Sequence, residues 1–250
     1  MPDDTRDAPA APPPAFTPLY EQVRARLVER LAAGEWAPGE SIPSEQSLAA
    51  RFNVAQGTVR KAIDALAKDN LLVRRQGKGT FVATHAEEAV SRFRFLSLRR
   101  DDGVDEYPES RLVEVRRGRA GASVARALEL KSGDAVFLVR RVLSWDAKPV
   151  LVDDIHLPAC LFPGFSRERL EAHTGSMYGF FETFGVRMLQ ARERIKAVAA
   201  RAPIGELLAL PAGSPLLEIE RVAFTFGARP VELRRSLCST ATHHYAARLR

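Results

Sequence analysis

The sequence predicts an α+β chain in two parts: a small helical unit ending in a basic β-hairpin, then a larger α+β domain on a mostly antiparallel sheet. Two observations predict it. Between Pro43 and Val82 the apolar spacing changes from a helical to a strand period, and Gly77 and Gly79 stand at the turn between two strand-like segments. Beyond Arg94, segments rich in Val and Leu recur at 111–119, 135–145, 149–157, 216–224 and 230–238, and short helical stretches separate them. A length of 250 residues fits two domains, each long enough to bury its own core.

Taken in order, residues 1–15 are rich in Pro and Asp without an apolar run, which predicts a disordered tail and excludes a secretory signal there. A first helix is expected from about Thr17 to Ala33, with Tyr20, Val23, Leu27 and Leu31 on one side and Gly34 as its stop. Its Arg24, Arg26 and Arg30 form either a solvated face or phosphate contacts. Ser44 is placed to cap a second helix running to about Phe52, which Asn53 ends. A third, from about Ala55 to Asp69, sets Val59, Ala62, Ile63 and Leu66 on one apolar stripe. Its opposite face carries Gln56, Thr58, Arg60 and Lys61 near the N-terminal end, where a recognition helix brings side chains to base edges and phosphates. The hairpin that follows carries Arg74, Arg75 and Lys78, a wing suited to the phosphate backbone or the minor groove. Helix pair and wing in this order make a winged helix-turn-helix.

Composition supports this only weakly. The net charge is +6, but ten Lys and Arg against seven Asp and Glu between Phe16 and His85 leave the excess spread over both parts. Placement, not total, points to DNA. Cys160 and Cys238 have no metal-ligand spacing and read as small buried or strand residues of a reducing cytosol. His243 and His244 are adjacent and in a strand face opposite sides, and His156 has no partner at ligand spacing, so neither a metal nor a cofactor is expected. No apolar run is long enough to span a bilayer, and a cytoplasmic location is expected.

The segments ProLeuTyrGluGlnVal, LeuAlaAlaGlyGluTrpAlaProGlyGluSerIleProSerGlu, ThrValArgLysAlaIleAspAlaLeu and GlnGlyLysGlyThrPheVal resemble, in order and spacing, the winged helix-turn-helix of GntR-type bacterial transcriptional regulators. The resemblance covers Pro18 to Val82. It implies DNA contacts from Ser44, Glu45, Gln56, Gly57, Thr58, Arg60 and Lys61, and from the wing residues Arg74, Arg75, Gln76, Gly77, Lys78, Gly79 and Thr80. The family usually has Ser-Arg where this chain has Ala55 and Gln56. A Gln there suits adenine N6 and N7, which predicts an operator unlike the family's common one.

The second part, 95–250 after a linker at 84–94, resembles the UTRA effector domain of the HutC branch, whose fold is similar to that of chorismate lyase. The carriers include AlaLeuGluLeuLysSerGlyAsp, ProValLeuValAspAspIleHisLeuPro, SerMetTyrGlyPhePheGluThrPheGlyVal and LeuLeuAlaLeuProAlaGlySerProLeuLeuGluIleGluArg. The resemblance implies a metabolite pocket between the sheet and a helix, lined by Arg141, Asp153, Ser176, Tyr178 and Glu232. A second Arg of the family's pair falls on Leu143. That loss argues against a phosphosugar and for an uncharged or monoanionic ligand. On the residues alone, Arg141 and Asp153 are either ligand contacts or an internal pair, and Ser176 is either a contact or a helix cap.

The reading that results is a sequence-specific DNA-binding regulator with a DNA-binding domain at 16–83, a homodimer on a palindromic operator, repressing until a small metabolite releases it. Two alternatives stand beside it: an enzyme of chorismate-lyase-like fold, for which no nucleophile motif or phosphate loop is present, and a structural protein binding DNA without sequence preference.

Overall fold

The computed structural model describes residues 17–85, 97–104 and 106–247, so the predicted tail and most of the predicted linker lie outside the described residues. The chain parts into two compact units between Val82 and Ala83.

In the first unit, helices α1 (Leu19–Ala32), α2 (Glu45–Phe52) and α3 (Gln56–Lys68) precede a hairpin of β1 (Leu72–Arg75) and β2 (Gly79–Val82). The predicted stripe on α3 is the centre of the core: Val59, Ala62, Ile63 and Leu66 are fully buried, against Leu27 of α1 and Leu48 of α2. Each such Val, Ile or Leu side chain contributes roughly 1.5–3 kcal/mol by leaving water, and Ala62 less. Asn53 ends α2 in the left-handed conformation at φ 52°, which turns the chain so that α3 crosses α2. In the hairpin Arg75 pairs with Gly79, and Gly77 and Gly79 have φ of 70° and 112°, which a side chain would oppose.

The second unit holds a six-stranded antiparallel sheet of β4 (Glu109–Arg119), β5 (Ala135–Trp145), β6 (Lys148–Pro158), β7 (Gln190–Ala199), β8 (Pro215–Phe224) and β9 (Pro230–Ser239), in the order β4-β5-β6-β9-β8-β7. Short helices α4 (Ala122–Ala127), α5 (Arg167–Ala172), α6 (Met177–Glu182) and α7 (Ile204–Leu207) lie between strands, and a small pair joins β3 (Leu98–Arg100) to β10 (His243–Tyr245). The strand order reads the same from either edge, because β4-α4-β5-β6 is repeated by β7-α7-β8-β9. The repeat is visible residue by residue. Glu129 and Ala209 both have φ of 53°, Gly133 and Gly213 have 90° and 85°, and Leu130 N bonds to Ala125 O as Leu210 N bonds to Gly205 O, each at 2.8 Å.

Four elements were not anticipated. In β7, at the sheet edge, eight of ten residues are exposed, so Arg192, Arg194 and Lys196 alternate with no buried apolar set to mark a strand. Helix α5 and the strands β3 and β10 are too short to carry a period. The predicted linker begins inside the second unit: Thr84 and His85 are held there by hydrogen bonds to Glu182 of α6.

Candidate functional site

In the first unit, Ser44 caps α2 as its hydroxyl accepts from Ser47 N at 3.1 Å. This places Glu45 at the head of α2, facing α3 and the wing. One carboxylate there collects three donors: Gln56 Nε2 at 3.3 Å, Arg60 Nε at 3.0 Å and Arg74 Nη1 at 2.9 Å. Burial alone would push the Glu45 carboxyl up, but the hydrogen bonds from Arg74, Arg60 and Gln56 hold it below its ordinary value. With Nε occupied, Arg60 keeps its outer Nη edge as a fork for guanine or phosphate.

Arg74 is placed differently. Its Nε and Nη2 donate to Asp64 Oδ1 at 3.1 and 2.7 Å while Nη1 goes to Glu45, so it straps the wing to α3. Thr80 is buried, and its carbonyl accepts from Ile42 N at 2.9 Å, which makes it part of the wing's footing. Gln56, Gly57, Lys61, Gln76, Gly77, Lys78 and Gly79 are exposed, and Thr58 is half-buried. Lys61 also lies over the Tyr20 ring at 4.1 Å and Arg75 over Phe81 at 4.7 Å.

In the second unit the predicted residues meet on one face of the sheet. Arg141 of β5 donates to Asp153 of β6 through Nε at 2.9 Å and Nη2 at 2.8 Å. Asp153 also accepts from Ser236 Oγ at 2.5 Å and Arg234 Nη1 at 3.4 Å of β9. Arg234 forks onto Glu232 at 3.0 and 2.8 Å. Tyr178 of α6 lies across this row, donating to Glu232 at 3.2 Å and accepting from Arg221 Nη1 at 3.2 Å. Arg221 of β8 in turn pairs with Glu193 of β7 at 2.5 Å. Burial acts first to raise the Asp153 carboxyl, yet Arg234, Arg141 and Ser236 together hold it below its ordinary value. Burial raises the Tyr178 phenol.

The sequence reading found Arg141, Asp153, Tyr178 and Glu232 but missed Arg221, Arg234, Ser236 and Glu193. Period-two alternation from Glu232 through Arg234 to Ser236 was the available signal. Leu143 sits in an apolar cluster with Leu98, Trp145 and Ile219. The family's second guanidinium is not lost in effect: Arg221 and Arg234 bring cations to the same face from other strands. Ser176 caps α6 through Gly179 N at 3.0 Å and donates to His85 O at 3.1 Å, so it is both cap and tether. Glu182, one turn beyond Tyr178, accepts from His85 N at 3.0 Å and Thr84 Oγ1 at 2.6 Å.

Beside Arg141 a cavity of about 420 Å³ is lined by Tyr107, Arg111, Leu170, His173 and Met177. His173 Nε2 is buried there without a hydrogen-bond partner among the described residues, the condition of a group that a ligand or water would satisfy. Among the described residues no cluster of metal-ligating side chains occurs, and no helix is long and apolar enough to cross a membrane.

Residues 19–82 match the bacterial regulatory proteins of the gntR family, and residues 105–244 match the UTRA domain. The chain belongs to the GntR family. Within it, this GntR/UTRA regulator is 32% identical over 222 residues to an Escherichia coli (strain K12) protein named as a probable fructoselysine utilization operon transcriptional repressor, across 88% of this chain and 90% of the relative. It is 25% identical to the histidine utilization repressor of Pseudomonas putida, across 92% of each, in keeping with the HutC branch. The crystallised ligand-binding domain of a protein described as a GntR-family regulator from Bordetella bronchiseptica is 44% identical, with a TM-score of 0.62, over 64% of this chain and 99% of that one. PhnF from Mycobacterium smegmatis is 26% identical, with a TM-score of 0.53, over 91% and 99%.

Proposed function

We propose that this transcriptional regulator is a homodimeric, cytoplasmic repressor without enzymatic activity, which leaves a palindromic operator when a small metabolite binds the second unit. One observation carries the coupling. Helix α6 bears, one turn apart, Tyr178 of the buried row and the Glu182 that holds Thr84 and His85, and these two follow closely on wing strand β2. A ligand that moves α6 therefore acts on the segment leading to the wing.

On the DNA side, Gln56, Arg60 and Lys61 reach bases and phosphates from α3, Lys78 and Gln76 from the wing tip, and Glu45 fixes the angle of Arg60. On the ligand side, Arg141, Arg221 and Arg234 face Asp153, Glu232 and Glu193, so the buried row is close to neutral. A multiply charged ligand would meet no net counter-charge, whereas an uncharged, zwitterionic or singly charged metabolite suits it. Relatives named for the use of fructoselysine and of histidine are consistent with ligands of that size and charge.

The test is thermal stability against a library of small metabolites, followed by DNA release. A compound that raises the melting temperature and frees the promoter DNA nearest the protein's own gene supports ligand-relieved repression. Stabilisation with DNA retained refutes the coupling.

A further inference from the structure

The reverse face of the sheet carries a larger cavity, of about 640 Å³, beneath α4 and over β6, β7, β8 and β9. Its floor is apolar at Val222 and Leu233, and its rim is crowded with guanidiniums. Arg194 and Arg235 share the carboxylate of Glu220, at 2.5 and 3.0 Å, and Arg235 also lies 3.8 Å from Glu218. Among the described residues Arg126 and Arg192 have no ion-pair partner, and Arg192 rests on the Phe224 ring at 4.7 Å. The other acids at the rim do not balance them: Asp154 is taken by a fork from Arg140 at 2.6 and 2.7 Å, and Glu193 by Arg221 on the other face. Among the described residues of the rim, only Glu129, which is exposed, is left to stand against Arg126 and Arg192.

His156 lines the same cavity. Its Nδ1 is buried with no hydrogen-bond partner among the described residues, a condition that costs stability unless something fills it. The internal repeat gives a contrast. In the other half Leu237 takes the place of His156 and joins the apolar cluster of Val142, Val152, Leu208 and Leu216 beside α7, a cluster that Val222, Leu233, Leu128 and Val136 match beside α4. The two halves share that apolar packing and differ where one has Leu237 and the other an imidazole with an unsatisfied nitrogen among guanidiniums.

We propose that this cavity is a second ligand site, for a small metabolite bearing a carboxylate or phosphate group, held by Arg126, Arg192 and His156. It lies on the face opposite the Arg141 pocket and shares with that buried row only Glu193, which is not among the residues proposed to hold the ligand, so it stands or falls separately from the function proposed above. An anion here supplies acceptors to two guanidiniums and to His156 Nδ1–H in one step.

The experiment titrates the full-length protein with inorganic phosphate and, separately, with malonate, following the His156 ring resonances by NMR and the melting temperature. The expected result is a saturable shift of the His156 signal with at least one of the two anions. Arg126→Gln and Arg192→Gln should each weaken it about tenfold, the scale of one charge-assisted hydrogen bond, while Arg141→Gln changes it less than twofold. Both arginines are exposed, so these variants fold whatever becomes of His156→Leu. Three outcomes overturn the proposal: no shift with either anion, a shift unchanged in the Arg126→Gln/Arg192→Gln double variant, or an equal loss in Arg141→Gln.

Discussion

Two carboxylates organise the two units, and they differ in burial. Glu45 gathers Gln56, Arg60 and Arg74 at the surface, with its own side chain 14% exposed and that of Arg60 59% exposed. Asp153 gathers Arg141, Arg234 and Ser236 inside the sheet, with its side chain 2% exposed. The same chemistry therefore serves opposite ends. At the surface a guanidinium can exchange its carboxylate for another anion at small cost, so the cluster is free to re-pair. Inside, neither partner can return to water, and the pair is a fixed frame whose rupture strands a charge.

The largest effect expected from that difference is on Asp153→Ala. It leaves Arg141 and Arg234 buried with one acid fewer, and the second unit should lose about 3–5 kcal/mol, read from denaturant unfolding. A loss under 1 kcal/mol would mean that water reaches the row. The pH dependence follows from the same carboxyl. Its folded value is depressed, so its contribution is complete above the unfolded carboxylate range near 4 and is lost as pH falls through the lower folded value. Melting temperature measured from pH 6 downward should drop steeply in wild type and more shallowly in Asp153→Ala.

Next in size is the division of labour. Arg60→Ala should abolish operator preference while leaving metabolite binding intact, and Arg141→Ala should do the reverse, in paired DNA-binding and ligand-binding assays. Equal weakening of both activities by both substitutions would dissolve the comparison. Glu45→Gln sharpens it. Removing the charge should strengthen binding to random DNA, while the preference for the operator over random sequence falls about tenfold as Arg60 loses its fixed angle. The smallest effect belongs to the exposed pair Arg24–Asp69, at 2.7 Å with both side chains more than 40% exposed. Arg24→Ala should change stability by less than about 0.5 kcal/mol.

The first unit was legible in the sequence because its signals are local. The stripe from Val59 to Leu66, the Ser44 cap and the Gly77 turn each lie within a dozen residues, and each stands where the spacing put it. What the sequence withheld there was the gathering of three side chains by Glu45, since Arg74 is 29 residues away. The sheet was legible where strands alternate or run apolar and illegible at β7, whose two faces are both wet. The buried row was half read. Arg141 and Asp153 came by resemblance, but Arg234 and Ser236 reach Asp153 only through the β6 to β9 register, which pairs Asp153 with Ser236. No spacing within one segment encodes that meeting. For the same reason Leu143 looked like a missing cation when the charge had come from another strand.

The order of strands has a consequence for how the second unit assembles. In its six-stranded sheet four of the five pairings join strands that are neighbours in the chain and only β6 with β9 brings distant segments together, while outside that sheet β3 pairs with the distant β10. Each half of that sheet can thus form from short-range contacts, and one long loop closure remains to join the halves. Asp153 sits on that seam with Arg234 and Ser236 opposite it. The residue at the centre of the buried row is also the latch that turns two half-sheets into one.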